Sequence, residues 1–275
     1  MLKSYIYIFI ILANVLIGQN NIDKDTICGH RYSASKSLSL QSTLTENQEK
    51  IDITYYKLDF EIDFDDEKVI GSVIINGSVG MDQPDFIEFD FADEMIVDSV
   101  WFNNNNTSFD HNNEIIKIPA PMAIPEGYNF TCRVFYHGNP PTSGFGSYNF
   151  DTHNNIDHVW TLSEPYGARD WWPCKDDPSD KADSVDIIVT VPSEQIVVSN
   201  GLLISELEIV NGKKTYHWAE RYPICTYLVS IATYPYTVWY DEYIGLNGDV
   251  LPLEYYVYPD HYEMVYDNYL LTKDP

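Results

Sequence analysis

The clearest indication of the fold lies in residues 56–71, YKLDFEIDFDDEKVIG. From Lys57 to Phe64 every second residue is apolar, and the residues between them are charged. Because the side chains of a strand point alternately to its two faces, this pattern predicts a half-buried β-strand. Residues 65–68 are a polar turn, and the more apolar Val69–Val79 predicts a second strand, so the stretch indicates a β-hairpin.

Similar short runs follow along the chain, each bounded by Asn, Asp, Gly or Pro. Short strands at regular spacing are typical of an all-β chain, and we predict a β-sandwich over residues 51–258. A helical pattern is present at Asp260–Leu271, where Asp260 could act as the N-cap. The further predicted strands are Phe86–Phe91, Val97–Phe102, Glu114–Ile118, Asn129–Tyr136, Ser184–Val191, Gln195–Ser199, Leu202–Glu208, Thr215–Trp218, Tyr227–Thr233, Tyr236–Tyr240 and Pro252–Tyr258, with a turn or loop at Asn103–Asn106.

A second informative stretch is Trp160–Pro178, WTLSEPYGARDWWPCKDDP, which places three Trp among several charged residues. The aromatic rings favour burial, whereas each carboxylate and the guanidinium need a partner or water. Pro165, Gly167 and Pro173 argue against a continuous helix. A stretch of this composition is typical of a pocket wall or a domain junction.

Several separated blocks of the chain resemble the M1 zinc aminopeptidases, the family of aminopeptidase N, in the order in which that family has them. The resemblance extends over residues 50–270 and covers only the family's N-terminal domain. It implies a saddle-like β-sandwich, with the start of the catalytic domain in residues 259–275. The blocks are the hairpin at residues 56–71, the T-x-x-E of Thr161–Glu164, the pair Ala168 and Arg169, the PCKDDP of Pro173–Pro178 and the YPICTYLVS of Tyr222–Ser230.

The resemblance implies a substrate-binding role for Glu164. It matches the family's acidic or amide residue that reaches into the active cleft and accepts hydrogen bonds from the α-ammonium group of the substrate. A carboxylate bonded to an ammonium group is a strong pair, and it demands a free chain end. Leu162 matches a position where many members carry a pocket-lining Gln, and leucine offers contact but no hydrogen bond. The alternative for Glu164 is a loop carboxylate paired with Arg169.

The other residues of this stretch are interpreted as structural. Arg169 and Asp177 are predicted to form an ion pair that holds the bend of the segment. Pro173 and Cys174 belong to the same motif, and the family counterpart of Cys174 is a buried thiol, so we expect it unpaired. Large aromatic side chains are favoured by burial, so Tyr166, Trp171 and Trp172 are expected in the core or at a domain interface.

The zinc motif of the family is absent from this sequence. A zinc aminopeptidase needs H-E-x-x-H on a helix, which puts two His on one face with the Glu as general base. None of the seven His has another four residues away, and the family's G-x-M-E-N is also missing. We therefore predict no catalytic residue and no metal ligand in this chain. The resemblance implies zinc in the complete enzyme, the chain's own catalytic domain as a partner, and peptides with a free N-terminus as substrates.

The N-terminus predicts export from the cytoplasm. Residues 1–18 have the character of a signal peptide, with Lys3 followed by the uncharged apolar run Tyr5–Ile17. Cleavage before Gln19 and retention as an anchor both stay open at this point. Residues 19–50 are poor in apolar side chains and are predicted to form a loosely ordered lead-in.

The charge balance is strongly acidic, with 16 Lys and Arg against 42 Asp and Glu and a net charge of −26. Such a surface argues against nucleic acid and against anionic membranes as partners. The charge can simply keep the surface solvated, or it can attract cationic substrates such as peptide amino groups.

The four cysteines, Cys28, Cys132, Cys174 and Cys225, allow three disulfide pairings in an exported chain, and buried thiols are an equal alternative. Their spacing matches no metal motif. Three functions compete for the whole chain: the N-terminal part of an exported aminopeptidase, a non-catalytic interaction module of the same fold, and an unrelated secreted sandwich that binds sugars or surfaces. The order of the blocks argues against the third.

Overall fold

The computed structural model describes residues 44–120, 125–144, 146–209 and 211–270. The predicted signal peptide, Cys28 and residues 19–43 lie outside them. The described part contains one α-helix, α1 (Tyr262–Leu270), and short 3-10 turns at Gln48–Lys50, Ala168–Asp170, Thr226–Leu228 and Pro259–His261. Its strands are β1 (Ile51–Asp63), β2 (Lys68–Val79), β3 (Phe86–Asp90), β4 (Ile96–Phe102), β5 (Asn105–Thr107), β6 (Asp110–Asn112), β7 (Ile115–Pro119), β8 (Asn129–Gly138), β9 (Ser147–His153), β10 (Ile156–Leu162), β11 (Ser184–Pro192), β12 (Ile196–Ser199), β13 (Leu202–Ile209), β14 (Lys213–Glu220), β15 (Ile231–Tyr234), β16 (Thr237–Ile244) and β17 (Val250–Val257).

The largest sheet is built around the predicted hairpin. Its eight strands run in the order β13-β14-β11-β1-β2-β8-β4-β5. Strands β1 and β11 pair in parallel, and the other neighbours pair antiparallel. Along β1, Leu58, Phe60 and Ile62 are buried, whereas the charged residues between them are partly exposed. The period-two pattern therefore becomes the core face of a central strand.

A second sheet, in the order β12-β15-β10-β9, packs against the first. The indole nitrogen of Trp218 on β14 donates to the carbonyl of Val197 on β12 at 3.1 Å. Trp171 lies between the sheets, with its ring 5.9 Å from Phe60 of β1 and 5.6 Å from Tyr148 of β9. Two small sheets, β3-β7-β6 and β16-β17, complete the fold, and the predicted all-β sandwich is confirmed.

Strands β9 and β10 are missing from the sequence prediction. Their loop is Asn154 and Asn155, whose φ angles of 51° and 60° lie in the left-handed region. Two such residues form the type I′ turn that suits a two-residue hairpin, but Asn-Asn is a weaker signal than Asn-Gly. At the predicted loop Asn103–Asn106 only the first two residues form a turn, and Asn105 already begins β5.

The predicted strand Tyr227–Thr233 is wrong at its beginning. Thr226–Leu228 form a 3-10 turn, and β15 begins only at Ile231. The side chain of Thr226 donates a hydrogen bond to the buried carboxylate of Asp176 at 2.9 Å. This tertiary contact fixes the local backbone and is invisible to a pattern of apolar residues.

Two predictions at the ends of the domain also need correction. Gln48 is buried and donates from its amide to Asp90 at 2.9 Å, so residues 44–50 belong to the packed domain and not to a loose lead-in. At the other end, α1 begins at Tyr262, and Asp260 lies in the preceding 3-10 turn with its carboxylate against His153 instead of capping the helix. Among the described residues, no helix has the length and apolar character needed to cross a membrane.

Candidate functional site

The segment between β10 and β11, residues 163–183, carries most of the residues that the sequence singles out. It leaves β10 through a turn in which the amide of Gly167 donates to the carbonyl of Ser163 at 2.8 Å. A Cβ atom on Gly167 would lie 2.2 Å from the hydroxyl oxygen of Ser147. A larger residue would therefore displace the Ser147 hydroxyl, which bonds to Asp170, and the turn is held tightly against β9.

Arg169 fixes the turn through two buried carboxylates. Its guanidinium lies 3.3 Å from Asp90 and 3.2 Å from Asp176. The carboxylate of Asp90 also accepts the backbone N–H of Asp176 at 2.8 Å. The predicted Arg169–Asp177 pair is thus wrong by one residue, because Asp176 is the acidic side chain that points inward. Asp177 accepts the backbone N–H of Ser179 at 2.7 Å instead.

The rest of the motif is buried as well. Trp171 and Trp172 are fully buried, which confirms their interpretation as core aromatics. Cys174 is a buried free thiol, as expected, and burial raises its pKa. The ammonium group of Lys175 donates to the carbonyl of Ile51 at 2.7 Å and forms an ion pair with Asp180. Cys132 and Cys225 are also buried free thiols.

Asp170 is a further buried acid next to this turn. Its carboxylate accepts hydrogen bonds from the hydroxyls of Ser143 and Ser147. Burial is the main cause that raises the pKa of Asp170 to about 6, and burial likewise raises the pKa of Asp90 to about 6. Both groups therefore bind protons more strongly in the folded chain than in the unfolded one.

This difference predicts a pH dependence of stability. Between about pH 4 and pH 6 the folded state binds more protons than the unfolded state, so the free energy of unfolding falls as the pH rises. From pH 5 to pH 7.5 we expect a loss of about 1 kcal/mol for each of Asp90 and Asp170. Asp170→Asn should remove its share of the slope in urea unfolding, whereas Asp82→Asn at the exposed surface should leave the slope unchanged. A slope that is unaltered in Asp170→Asn contradicts the assignment.

The side chain of Glu164 differs from this network in its bonding. Its Oε2 atom is buried and has no hydrogen-bond partner among the described residues. Its side chain makes none of the ion pairs recorded for Arg169, which lie with Asp90, Asp176 and Glu114. These ion pairs give no support to the alternative interpretation, a loop carboxylate braced by Arg169. A buried carboxylate oxygen without a donor is costly, and a cation or N–H donor placed there would relieve that cost.

Tyr227 is close enough to Glu164 for their charges to interact, and sequence reasoning did not single it out. The pKa of its hydroxyl is raised, first by Cys225 and to the smallest extent by the negative charge of Glu164. A double contact between β10 and β15 brings the two segments together: the hydroxyl of Thr161 accepts the N–H of Ile231 at 3.0 Å and donates to its carbonyl at 3.4 Å. The resemblance of residues 222–230 to a family block was the signal that could have pointed to Tyr227.

Leu162 is the last residue of β10, is half-buried and pairs with Ser147 of β9. It lies two residues before Glu164, so the two positions that the sequence assigns to substrate share one end of the four-stranded sheet. Their roles stay predictions.

The sequence model of the peptidase M1 N-terminal domain matches residues 53–228, which is more than half of the chain and includes the whole turn with Glu164. This chain belongs to the peptidase M1 N-terminal domain family. The M1 resemblance is thereby confirmed. The matched residues include the turn and most of the sandwich that carries it.

Two curated relatives of this M1 domain are aminopeptidases by name. The chain is 28% identical over 138 residues to "Putative aminopeptidase-2" of Caenorhabditis elegans, covering 48% of this chain and 7% of that protein. It is 26% identical over 205 residues to "Leucine aminopeptidase 2" of Vanderwaltozyma polyspora, covering 72% of this chain and 30% of that protein. The chain thus spans less than a third of the length of either relative.

Solved structures share the fold. An M1 zinc metallopeptidase mutant of Deinococcus radiodurans, bound to a Tyr-Ser-Ala substrate, superposes with a TM-score of 0.67 at 22% identity, over 76% of this chain and 48% of that one. Native yeast LTA4 hydrolase gives a TM-score of 0.63 at 18% identity, over 85% of this chain and 36% of that one. At these identities the comparison shows the fold alone, and this M1 domain spans about half or less of each structure.

The residues of this M1 domain do not fit the zinc centre of the complete enzymes. The chemistry of that centre needs two His on one helix face with a Glu beside them. No pair of His in the whole sequence has the required spacing. No catalytic step can be assigned to this chain through that metal.

Proposed function

We propose that this chain is the N-terminal domain of an exported, zinc-dependent aminopeptidase and that it supplies the binding site for the substrate's α-amino group. The membership of the M1 family and the aminopeptidase relatives support the reaction class. The zinc and the general base would come from a catalytic domain that follows in the same protein. Export rests on the apolar run in residues 1–18.

The observation that carries the proposal is the Oε2 atom of Glu164, which is buried and has no hydrogen-bond partner in the described part of the chain. The surrounding turn is fixed by buried ion pairs. The carboxylate of Glu164 is therefore held in place, and its Oε2 atom has no donor among the described residues. A protonated amine offers up to three N–H donors and a full positive charge. It would satisfy the orphaned oxygen and form a charge-assisted hydrogen bond.

This contact would make the enzyme an exopeptidase. An internal peptide bond presents a neutral amide, which would leave the Glu164 carboxylate without a counter-charge. A free N-terminus presents the cation, and therefore only the first residue of a peptide is held in register for cleavage. The negative surface of the domain would add a weak attraction for cationic chain ends.

The C-terminal hairpin supports a partner domain. β16 and β17 form a two-stranded sheet that directly precedes α1, and it exposes several large apolar side chains. They are Tyr240, Ile244, Leu246, Val250 and Leu251. Ile244 and Val250 lie side by side across the hairpin, and exposed apolar groups that lie together are typical of surfaces that another protein segment covers.

The first test is the activity of the chain itself. The purified chain, with or without added zinc, should not hydrolyse aminoacyl anilides, because it contains no H-E-x-x-H motif. The reading frame downstream of Pro275 should encode that motif on a helix. Hydrolysis by the chain alone would contradict the proposal that a separate catalytic domain supplies the zinc and the general base. A downstream frame without the motif would favour a non-catalytic interaction module.

A further inference from the structure

Three side chains of metal-ligand type meet at the tip of the β9–β10 hairpin. The Nε2 atom of His153 lies 3.0 Å from one carboxylate oxygen of Asp260, and the Nε2 atom of His261 lies 3.6 Å from the other. All three ligand atoms lie within 4.8 Å of one another. His153 and Asp260 are 107 residues apart in the chain, so sequence spacing gave no sign of the cluster.

The fold holds His153 in this position. The type I′ turn of Asn154 and Asn155 begins directly after it, which fixes the end of β9. The ring of Tyr258 stacks on the imidazole with centroids 4.1 Å apart. The hydroxyl of Tyr234 donates to the carbonyl of His153 at 3.2 Å. The imidazole is therefore oriented by packing before any ligand arrives.

The 3-10 turn Pro259–His261 supplies the other two ligands. Asp260 and His261 are adjacent in that turn, immediately before α1. In a tetrahedral zinc site with bonds of about 2.0–2.1 Å, neighbouring ligand atoms lie about 3.3 Å apart. The two His–Asp260 distances, 3.0 and 3.6 Å, end on different oxygens of the carboxylate, and one ligand atom from each of the three residues lies within 4.8 Å of the others. Small side-chain rotations would complete the geometry.

Against the expectation from the sequence that this chain has no metal ligand, we propose that His153, Asp260 and His261 form a zinc-binding site. Two imidazole nitrogens and one carboxylate oxygen are a donor set that zinc takes with water in its fourth position. The three side chains are between 25% and 43% exposed, which leaves a path for the ion and room for the water. Bound zinc ties the hairpin of the sandwich to the segment that leads into α1.

The same surface offers a matched comparison. His137 lies 3.0 Å from Asp98 and has a similar exposure. Among the described residues, no third side chain of metal-ligand type lies close enough to complete a site with that pair. A His–Asp pair alone gives zinc two ligands. If the third ligand decides binding, the two places should differ sharply.

The test is zinc titration of the untagged 275-residue chain, stripped with EDTA, against a chromophoric competitor. The wild-type chain should take up one saturable equivalent. His153→Gln, Asp260→Asn and His261→Gln should each weaken this binding at least about tenfold, and His137→Gln should leave it unchanged. Zinc should also raise the melting temperature of the wild-type chain, because it binds only the folded state, and this rise should vanish in the three ligand variants.

All four variants change partly or fully exposed side chains, and their melting temperatures without zinc report that they fold. Absence of saturable zinc binding to the wild-type chain would overturn the proposal. So would wild-type affinity in any one of the three ligand variants, or a loss in His137→Gln equal to theirs.

Discussion

Glu164→Ala should lower kcat/KM for peptides with a free N-terminus by roughly ten- to hundred-fold, in the enzyme that joins this domain to its catalytic domain. The reason is that a hydrogen bond to a charged group contributes about 1.5–3 kcal/mol. The stability of the variant should be unchanged or slightly higher, because the Oε2 atom of Glu164 has no partner to lose among the described residues. Steady-state kinetics, zinc content and thermal unfolding of the same preparation measure all three quantities.

The control for this prediction is Glu164→Gln. Its amide oxygen still accepts a hydrogen bond from the ammonium group, so the loss in kcat/KM should be smaller than in Glu164→Ala. If the carboxylate were needed to brace the turn, both variants would melt at a lower temperature. Full activity of Glu164→Ala on free-amine substrates contradicts the amine-binding role.

Arg169→Ala should destabilise the folded chain by about 3–5 kcal/mol. The substitution leaves Asp90 and Asp176 without their cation, and both carboxylates are buried, with exposures of 2% and 0%. Removing one partner of a buried ion pair leaves an uncompensated charge inside the protein, and this lowers the free energy of unfolding strongly. Replacing the whole pair by apolar residues has a much smaller effect. Urea unfolding of the chain, followed by tryptophan fluorescence, measures the loss.

Two neighbouring acids provide the matched control. Asp176→Ala removes a buried partner of Arg169 and the acceptor for Thr226, so it should destabilise strongly. Asp177→Ala removes a half-buried carboxylate that accepts from Ser179, so it should have a much smaller effect. Equal effects of the two alanine substitutions would contradict the structural assignment of the pair to Asp176.

The sequence predicts the fold well where one face of a strand is buried. β1, β2 and β8 carry alternating apolar residues. The observed limits of β2 and β8 lie near the predicted ones, whereas β1 begins at Ile51, six residues before the predicted start at Lys57. β9 fails this test because its buried residues, such as Ser147 and Tyr148, come at one end and partly exposed polar residues at the other. Its strand character comes from the asparagine turn and from pairing with β10, which are tertiary features.

The candidate site was predictable only as a segment. The family blocks point to Glu164 and to the turn that carries it, but sequence order cannot tell which of Asp176 and Asp177 faces inward. That choice depends on the direction of the chain after Trp172, which packs edge-on against Tyr56 at 4.8 Å. Contacts between distant parts of the chain, such as the hydrogen bond from Thr226 to Asp176, leave no trace in local spacing.

The most direct test of the amine-binding role compares two inhibitors in two enzymes: an amino-acid product and the same acid without its amino group, each against the wild-type enzyme and Glu164→Ala. In the wild-type enzyme the amino group should improve the inhibition constant at least about tenfold. In Glu164→Ala this advantage should fall to about twofold or less, because the amine and the carboxylate interact with each other. An advantage of the amino group that is equally large in both enzymes would show that the amine is bound elsewhere, and it would contradict the account.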